Sequence, residues 1–79
     1  MRLDLFLKKT ALIKRRTVAN SACDAGRVTI NDRPAKASAE VKVGDILSIS
    51  FGNRELKVKV TAVRETVKKE EADAMYEEL

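Results

Sequence analysis

The chain has 79 residues, a length that allows one small domain rather than two. It contains no histidine and a single cysteine, Cys23, which excludes an internal disulfide, a Cys/His zinc site and catalysis by an imidazole. Lysine and arginine outnumber aspartate and glutamate by 16 to 12, a formal net charge of +4. The composition therefore favours a non-enzymatic protein, and neither a cofactor nor a metal site is predicted.

The charge is unevenly distributed along the chain. Residues 1–36 carry nine basic and three acidic side chains, a net charge of +6, whereas residues 70–79 carry five acidic side chains and no basic one. A basic first half predicts a polyanionic partner, nucleic acid ahead of an anionic membrane. No apolar run has the length of a signal sequence or a membrane span, so a cytoplasmic protein is expected.

Two short helices are predicted at the start of the chain. The first, over residues 2–9, has apolar side chains at helical spacing: Leu3, Phe6 and Leu7. The second, over residues 14–25, has a face of small side chains that is expected to pack closely: Val18, Ser21, Ala22 and Ala25. Gly26 is suited to end this helix, because glycine readily adopts the left-handed conformation found after helix ends.

Strands follow, because the apolar period changes to two after Gly26. The clearest pair is a hairpin of residues 47–51 and 56–62, and turns are predicted at Asn31-Asp32, Gly44-Asp45 and Gly52-Asn53. Residues 67–79 return to a helical period. The pattern predicts an α+β fold in which two N-terminal helices pack on a small antiparallel twisted sheet, with a short C-terminal helix.

A basic triplet, Lys14-Arg15-Arg16, stands at the predicted start of the second helix. Exposed N–H groups at a helix start attract anions, and guanidinium groups bind phosphate with two hydrogen bonds. Cations there oppose the helix dipole, so replacing both arginines with glutamate is expected to leave the free protein as stable or slightly more stable. The predicted RNA-binding residues are Arg2, Lys8, Lys9, Lys14, Arg15, Arg16, Arg27 and Lys36.

The three aromatic residues indicate the kind of nucleic acid. Phe6, Phe51 and Tyr76 all lie outside the basic triplet, and Phe6 and Phe51 fall on predicted core faces. Proteins that bind single-stranded nucleic acid stack its bases on aromatic side chains. The absence of aromatic side chains from the basic triplet therefore favours a structured RNA that is recognised through shape and phosphate contacts. Asn20 is the one candidate on the second helix for contact with a base edge, and a small helix-turn-helix DNA-binding protein stays an alternative.

Several short segments together resemble a known family. They are Arg2-Leu3-Asp4, the basic triplet, Gly26-Arg27-Val28, Ile30-Asn31 and Val43-Gly44-Asp45. In combination they are similar to the S4-type, or alpha-L, RNA-binding domain over residues 1–63, which leaves 64–79 as a C-terminal acidic amphipathic helix. Leu5 departs from the family's usual lysine, and Asn31-Asp32 replaces the usual Asn-Gly.

The whole chain is similar to the RqcP family of small ribosome-associated quality control factors and is related to heat-shock protein fifteen. This resemblance implies a protein that binds obstructed large ribosomal subunits and contacts large-subunit ribosomal RNA and peptidyl-tRNA. It also implies that RqcH, on the same subunit, adds C-terminal alanine tails to the stalled chain. The protein is expected to be a monomer. Arg2, Arg15 and Arg16 match the family's RNA-contacting motif. A ribosome-assembly protein is the alternative within the same class.

Overall fold

The computed structural model describes residues 1–63 and 75–79, which form two helices and a five-stranded antiparallel sheet. The elements in chain order are α1 (Leu3–Lys9), α2 (Arg16–Asp24), β1 (Val28–Ile30), β2 (Arg33–Pro34), β3 (Ile46–Phe51), β4 (Arg54–Val60) and β5 (Tyr76–Glu78). The strand order across the sheet is β2-β1-β3-β4-β5. Within the described ranges, no helix is long and apolar enough to cross a membrane. The predicted α+β class is confirmed.

The two helices cover one face of the sheet. As predicted, α1 buries its apolar face completely: Leu3, Phe6 and Leu7. On α2 the predicted face is wrong by one position, because Ala19 and Cys23 are buried whereas the side chain of Val18 is 52% exposed. Both sets of residues have helical spacing, and the position of the neighbouring α1 decides which set faces the core.

The connection between the helices reverses the chain direction. Ala11 adopts a left-handed conformation, with φ of 59°, which is uncommon for any residue with a Cβ atom. The chain then returns beside α1, since the N–H of Ile13 donates to the carbonyl oxygen of Leu7 at 3.1 Å and the Ile13 side chain enters the core. This reversal brings the first residue of α2, Arg16, next to the start of α1.

The central strands β3 and β4 form the predicted hairpin. Leu47 and Val58 face each other across it and are fully buried, as is Ile49. Ser48 and Lys57, which are also opposite each other, lie on the other face of the sheet. Phe51, at the end of β3, is 43% exposed, so the prediction that it lies in the core is wrong.

The β1–β2 hairpin has the predicted two-residue turn. Asn31 and Asp32 both have positive φ, 52° and 65°, which matches the turn type that follows the twist of antiparallel strands. The Asn31 side chain also donates to Asp45 at 3.2 Å and accepts from the N–H of Ile46 at 3.0 Å. Aspartate in place of the family's glycine therefore keeps the turn.

The predicted C-terminal helix is wrong where the structure describes it. Tyr76–Glu78 form β5, which pairs with β4 so that Glu77 lies opposite Lys59, and residues 67–74 lie outside the described residues. A helix ending in acidic residues opposes its own dipole, whereas a strand on this edge places Glu77 across from a cation. The backbone N–H of Leu79 also donates to the Lys57 carbonyl oxygen, at 2.9 Å.

Candidate nucleic-acid interface

A buried carboxylate lies at the start of α1. The residue, Asp4, is only 1% exposed, yet its carboxylate accepts hydrogen bonds from Arg2, Arg16 and the backbone N–H of Leu5. The Leu5 N–H lies 2.8 Å from Oδ1, and the Nε atoms of the two arginines lie 3.3 Å from Oδ1 and Oδ2. Two arginines that are 14 positions apart therefore meet on one acid.

The surroundings of Asp4 keep it ionised. Burial alone raises the pKa of a carboxyl group, because the charged form loses its hydration. The hydrogen bonds from Arg16 and the Leu5 N–H, with the charges of Arg16 and Arg2, outweigh burial, and the pKa of Asp4 lies below its ordinary value. At neutral pH the cluster therefore holds one negative and two positive charges, and its net charge is positive.

Both arginines keep hydrogen-bond donors that Asp4 does not occupy. The side chains of Arg2 and Arg16 are 50% and 48% exposed. Arg16 contacts Asp4 through Nε alone, and Arg2 through Nε and Nη2, so both keep guanidinium N–H groups with no partner among the described residues. A guanidinium that is anchored at its inner nitrogen and open at its outer nitrogens can bind a phosphate oxygen in addition.

The backbone holds Arg2 in place from the other side. Arg2 forms an isolated antiparallel bridge with Glu40. The N–H of Leu3 donates to the Ala39 carbonyl oxygen at 2.8 Å, and the N–H of Val41 donates to the Met1 carbonyl oxygen at 2.9 Å. The first residues of the chain are thereby tied to the segment before β3, which limits the positions that the Arg2 side chain can reach.

Four more predicted residues lie near this cluster in the chain. Lys14 and Arg15 directly precede α2 and are exposed, and Arg15 makes no capping hydrogen bond with its side chain. Lys8, exposed, lies in the last turn of α1, where a cation suits the helix dipole, and Lys9 follows it. These four side chains extend the positive surface along the helix connection.

Arg27 and Lys36 lie elsewhere. Arg27 follows the C-terminal end of α2, where its N–H donates to the Ala22 carbonyl oxygen at 2.9 Å, and Lys36 lines a depression together with Asp24. The nine residues of α2 span roughly 13 Å. The structure therefore brings Arg2 and Arg16 together and separates Arg16 from Arg27 by the length of the helix, whereas Ala37, the residue after Lys36, accepts a hydrogen bond from the N–H of Asp4 at 3.2 Å.

Sequence reasoning missed the role of Asp4. From the sequence, an acid in the first turn of a helix is expected only to suit the helix dipole, and nothing in the spacing to Arg16 indicates a contact across a chain reversal. The structure also changes the expectation for the basic triplet. Arg15 is free of side-chain hydrogen bonds within the described part of the chain, whereas Arg16 is anchored to a buried carboxylate.

The lone cysteine is a core residue. Cys23 is 3% exposed, and burial, with the charges of Asp4 and Asp24, raises its pKa to about 11. The thiol is protonated at neutral pH and is not a nucleophile. Among the residues that the structure describes, no three acidic or cysteine side chains are close enough to hold a metal ion.

Comparison with known proteins gives a consistent family. The S4 domain model matches residues 1–47. The RQC P-site tRNA stabilizing factors of Halalkalibacterium halodurans and Bacillus subtilis are 54% and 53% identical over 98% and 96% of this chain and 88% of their own. Heat shock protein 15 of Vibrio cholerae, solved as a trimer, aligns over 100% of this chain and 81% of its own, with a TM-score of 0.90 and 26% identity. The chain therefore belongs to the S4 domain family and, within it, to the family of RQC P-site tRNA stabilizing factors.

Proposed function

We propose that this protein is a non-enzymatic RNA-binding factor of ribosome-associated quality control. It binds large ribosomal subunits obstructed by peptidyl-tRNA, contacts the ribosomal RNA and the tRNA, and supports the alanine tailing that RqcH carries out. Family membership supports the ribosomal role, since the relatives are named as stabilizing factors of P-site tRNA. The observation that carries RNA binding is the pair of half-exposed arginines anchored on Asp4.

Anchoring explains how so small a surface can bind RNA. An arginine that is free in solution loses up to ~2 kcal/mol of rotamer entropy when it is fixed on a phosphate. Arg2 and Arg16 are already restricted by hydrogen bonds to Asp4, so part of that loss occurs on folding. The proposed contact surface comprises this pair and the neighbouring cations Lys8, Lys9, Lys14 and Arg15, with Arg27 and Lys36 reaching more distant phosphates.

Salt dependence tests whether phosphate contacts dominate. With about five such contacts, the logarithm of the association constant should fall against the logarithm of salt concentration with a slope near −3.5 to −4.5. A filter-binding titration with a structured ribosomal RNA fragment measures this slope. A slope near zero would show that the basic surface is not the interface, and better competition by duplex DNA than by RNA would favour the DNA-binding alternative.

Cosedimentation tests the ribosomal state. Wild-type protein should pellet with large subunits that carry peptidyl-tRNA, and Arg2→Ala and Arg16→Ala should abolish this. Lys57→Ala is the matched control, because Lys57 is an exposed cation on the sheet face away from the helices, and this variant should pellet normally. Preferential pelleting with immature particles would support the assembly alternative instead.

The proposed functional unit is a cytoplasmic, ribosome-bound monomer. Arg2, Asp4 and Arg16 come from one chain, so the anchored pair needs no second copy. The trimer of the Vibrio cholerae relative gives the competing expectation. Sedimentation equilibrium at micromolar concentration distinguishes a mass of 8.8 kDa from three times that value.

A further inference from the structure

A shallow groove beside the anchored arginines contains an unused amide. Its lining comprises Arg2, Asp4, Arg16, Thr17, Asn20 and Ser21. Asn20 is partly buried, and its side-chain amide makes no hydrogen bond with any residue that the structure describes. Asp4, at the same surface, already accepts hydrogen bonds on both oxygens. Asn20 therefore presents an unpaired donor and an unpaired acceptor side by side in a groove that the two anchored arginines also line.

The position of Asn20 relative to Arg16 follows from the helix. Residues four apart on a helix lie on the same side, with ~5–6 Å between their Cβ atoms. A phosphate held on the outer nitrogens of Arg16 would therefore place the base of the same or the next nucleotide near Asn20. Thr17 and Ser21, which also line the groove, are short enough to leave that space open.

The chemistry of the amide indicates what it can recognise. Its carbonyl oxygen accepts and its NH₂ group donates, side by side, and this pair matches the adjacent donor and acceptor of adenine. Every base presents an adjacent donor and acceptor on its Watson–Crick edge, whereas on the Hoogsteen edge only adenine does, through its N6 amino group and N7, and guanine has two acceptors there. Selectivity for adenine therefore requires that the amide contacts its Hoogsteen edge.

We propose that Asn20 reads the Hoogsteen edge of an adenine that is unstacked in a loop or bulge of RNA, while Arg2 and Arg16 hold its flanking phosphates. This inference rests on the proposed RNA-binding function and adds base selectivity to it. An unstacked base is required, because the major groove of an RNA helix is too deep and narrow for side chains to read. Asn20 is thus a specificity-determining residue rather than another contact for phosphate.

The test uses RNA hairpins that differ at one loop position, with A, C, G or U, and a fully paired duplex. Wild-type protein should bind the hairpin with adenine at that position more tightly than the hairpins with the other three bases, by roughly 5- to 150-fold. Asn20→Ala should lose that preference, keep its affinity for the duplex and melt as the wild type does, since the amide makes no bond in the fold. Asn53→Ala, a change of the same kind in the exposed β3–β4 turn, is the control and should keep the preference.

Two results would overturn the inference in distinguishable ways. If wild-type protein binds the hairpins with the expected salt dependence but without base preference, or Asn20→Ala keeps the preference, Asn20 is not the reader and the proposed function stands. If wild-type protein binds none of the RNAs, the proposed function fails and the inference fails with it.

Discussion

Single alanine substitutions at Arg15 and Arg16 should have opposite effects on stability, although the two residues are adjacent cations at a helix start. Arg16 donates to the buried carboxylate of Asp4 at 3.3 Å, whereas Arg15 makes no capping hydrogen bond with its side chain. Arg16→Ala therefore leaves Asp4 with Arg2 as its only guanidinium partner, and Arg15→Ala leaves no buried group unpaired.

The size of the difference follows from these contacts. A hydrogen bond to a charged group contributes ~1.5–3 kcal/mol. Because the Arg16 side chain is 48% exposed, solvent screening reduces this to about 1–2 kcal/mol. In a domain of this size 1 kcal/mol shifts the melting temperature by ~4–8 °C, so Arg16→Ala should melt about 4–16 °C earlier. Arg15→Ala removes a cation that opposes the helix dipole and should melt unchanged or slightly later.

Thermal melting followed by circular dichroism at neutral pH and low salt measures both variants in one preparation. Filter binding on the same samples should show weaker RNA binding for each, since both arginines belong to the proposed contact surface. Equal melting temperatures for Arg15→Ala and Arg16→Ala would refute the assignment of Arg16 as an anchor of Asp4. An earlier melt for Arg15→Ala alone would refute it as well.

Three further predictions concern acid, strain and the last strand. Because the pKa of Asp4 is lowered from 3.8, its stabilising effect is complete above that pH and is lost as the pH falls towards the pKa in the folded state. Urea melts should therefore show a free energy of unfolding that declines below pH 4 in the wild type and declines less in Asp4→Asn. Ala11→Gly should raise the free energy of unfolding by up to ~1 kcal/mol in urea melts, because glycine removes the cost of positive φ but adds chain entropy to the unfolded state. Met75→Ala should lower the free energy of unfolding by ~2–5 kcal/mol, since Met75 is 1% exposed in the core. An unchanged midpoint of the urea melt would show that β5 is not docked.

Local patterns determined what the sequence could predict. The face of α1 and the β3–β4 hairpin follow from the spacing of apolar residues over a few positions, and both are confirmed. The turn at Asn31-Asp32 follows from the tolerance of these two residue types for positive φ. In each case the residues that determine the structure are neighbours in the chain, so no knowledge of distant contacts was needed.

Contacts between distant segments account for what the sequence did not predict. The apolar pattern of Met75 and Tyr76 fits a helix as well as a strand, and the free edge of β4, with Lys59 opposite Glu77, decides for the strand. The face of α2 depends in the same way on where α1 lies. The Asp4–Arg16 contact requires the chain reversal at Ala11, which no residue type in that segment indicates.

The placement of Asp4 reconciles stability with RNA binding. An exposed cluster of cations would bind phosphate, but its mutual repulsion would weaken so small a domain, whose total stability is on the order of 5 kcal/mol. A buried acid between Arg2 and Arg16 offsets that repulsion in the free protein and still leaves outer N–H groups open to solvent. A phosphate then adds a second anion to guanidiniums that the first has already oriented, so binding requires little rearrangement. Removal of the acid should therefore weaken RNA binding even though it makes the surface more positive, an outcome that a purely electrostatic surface would not produce.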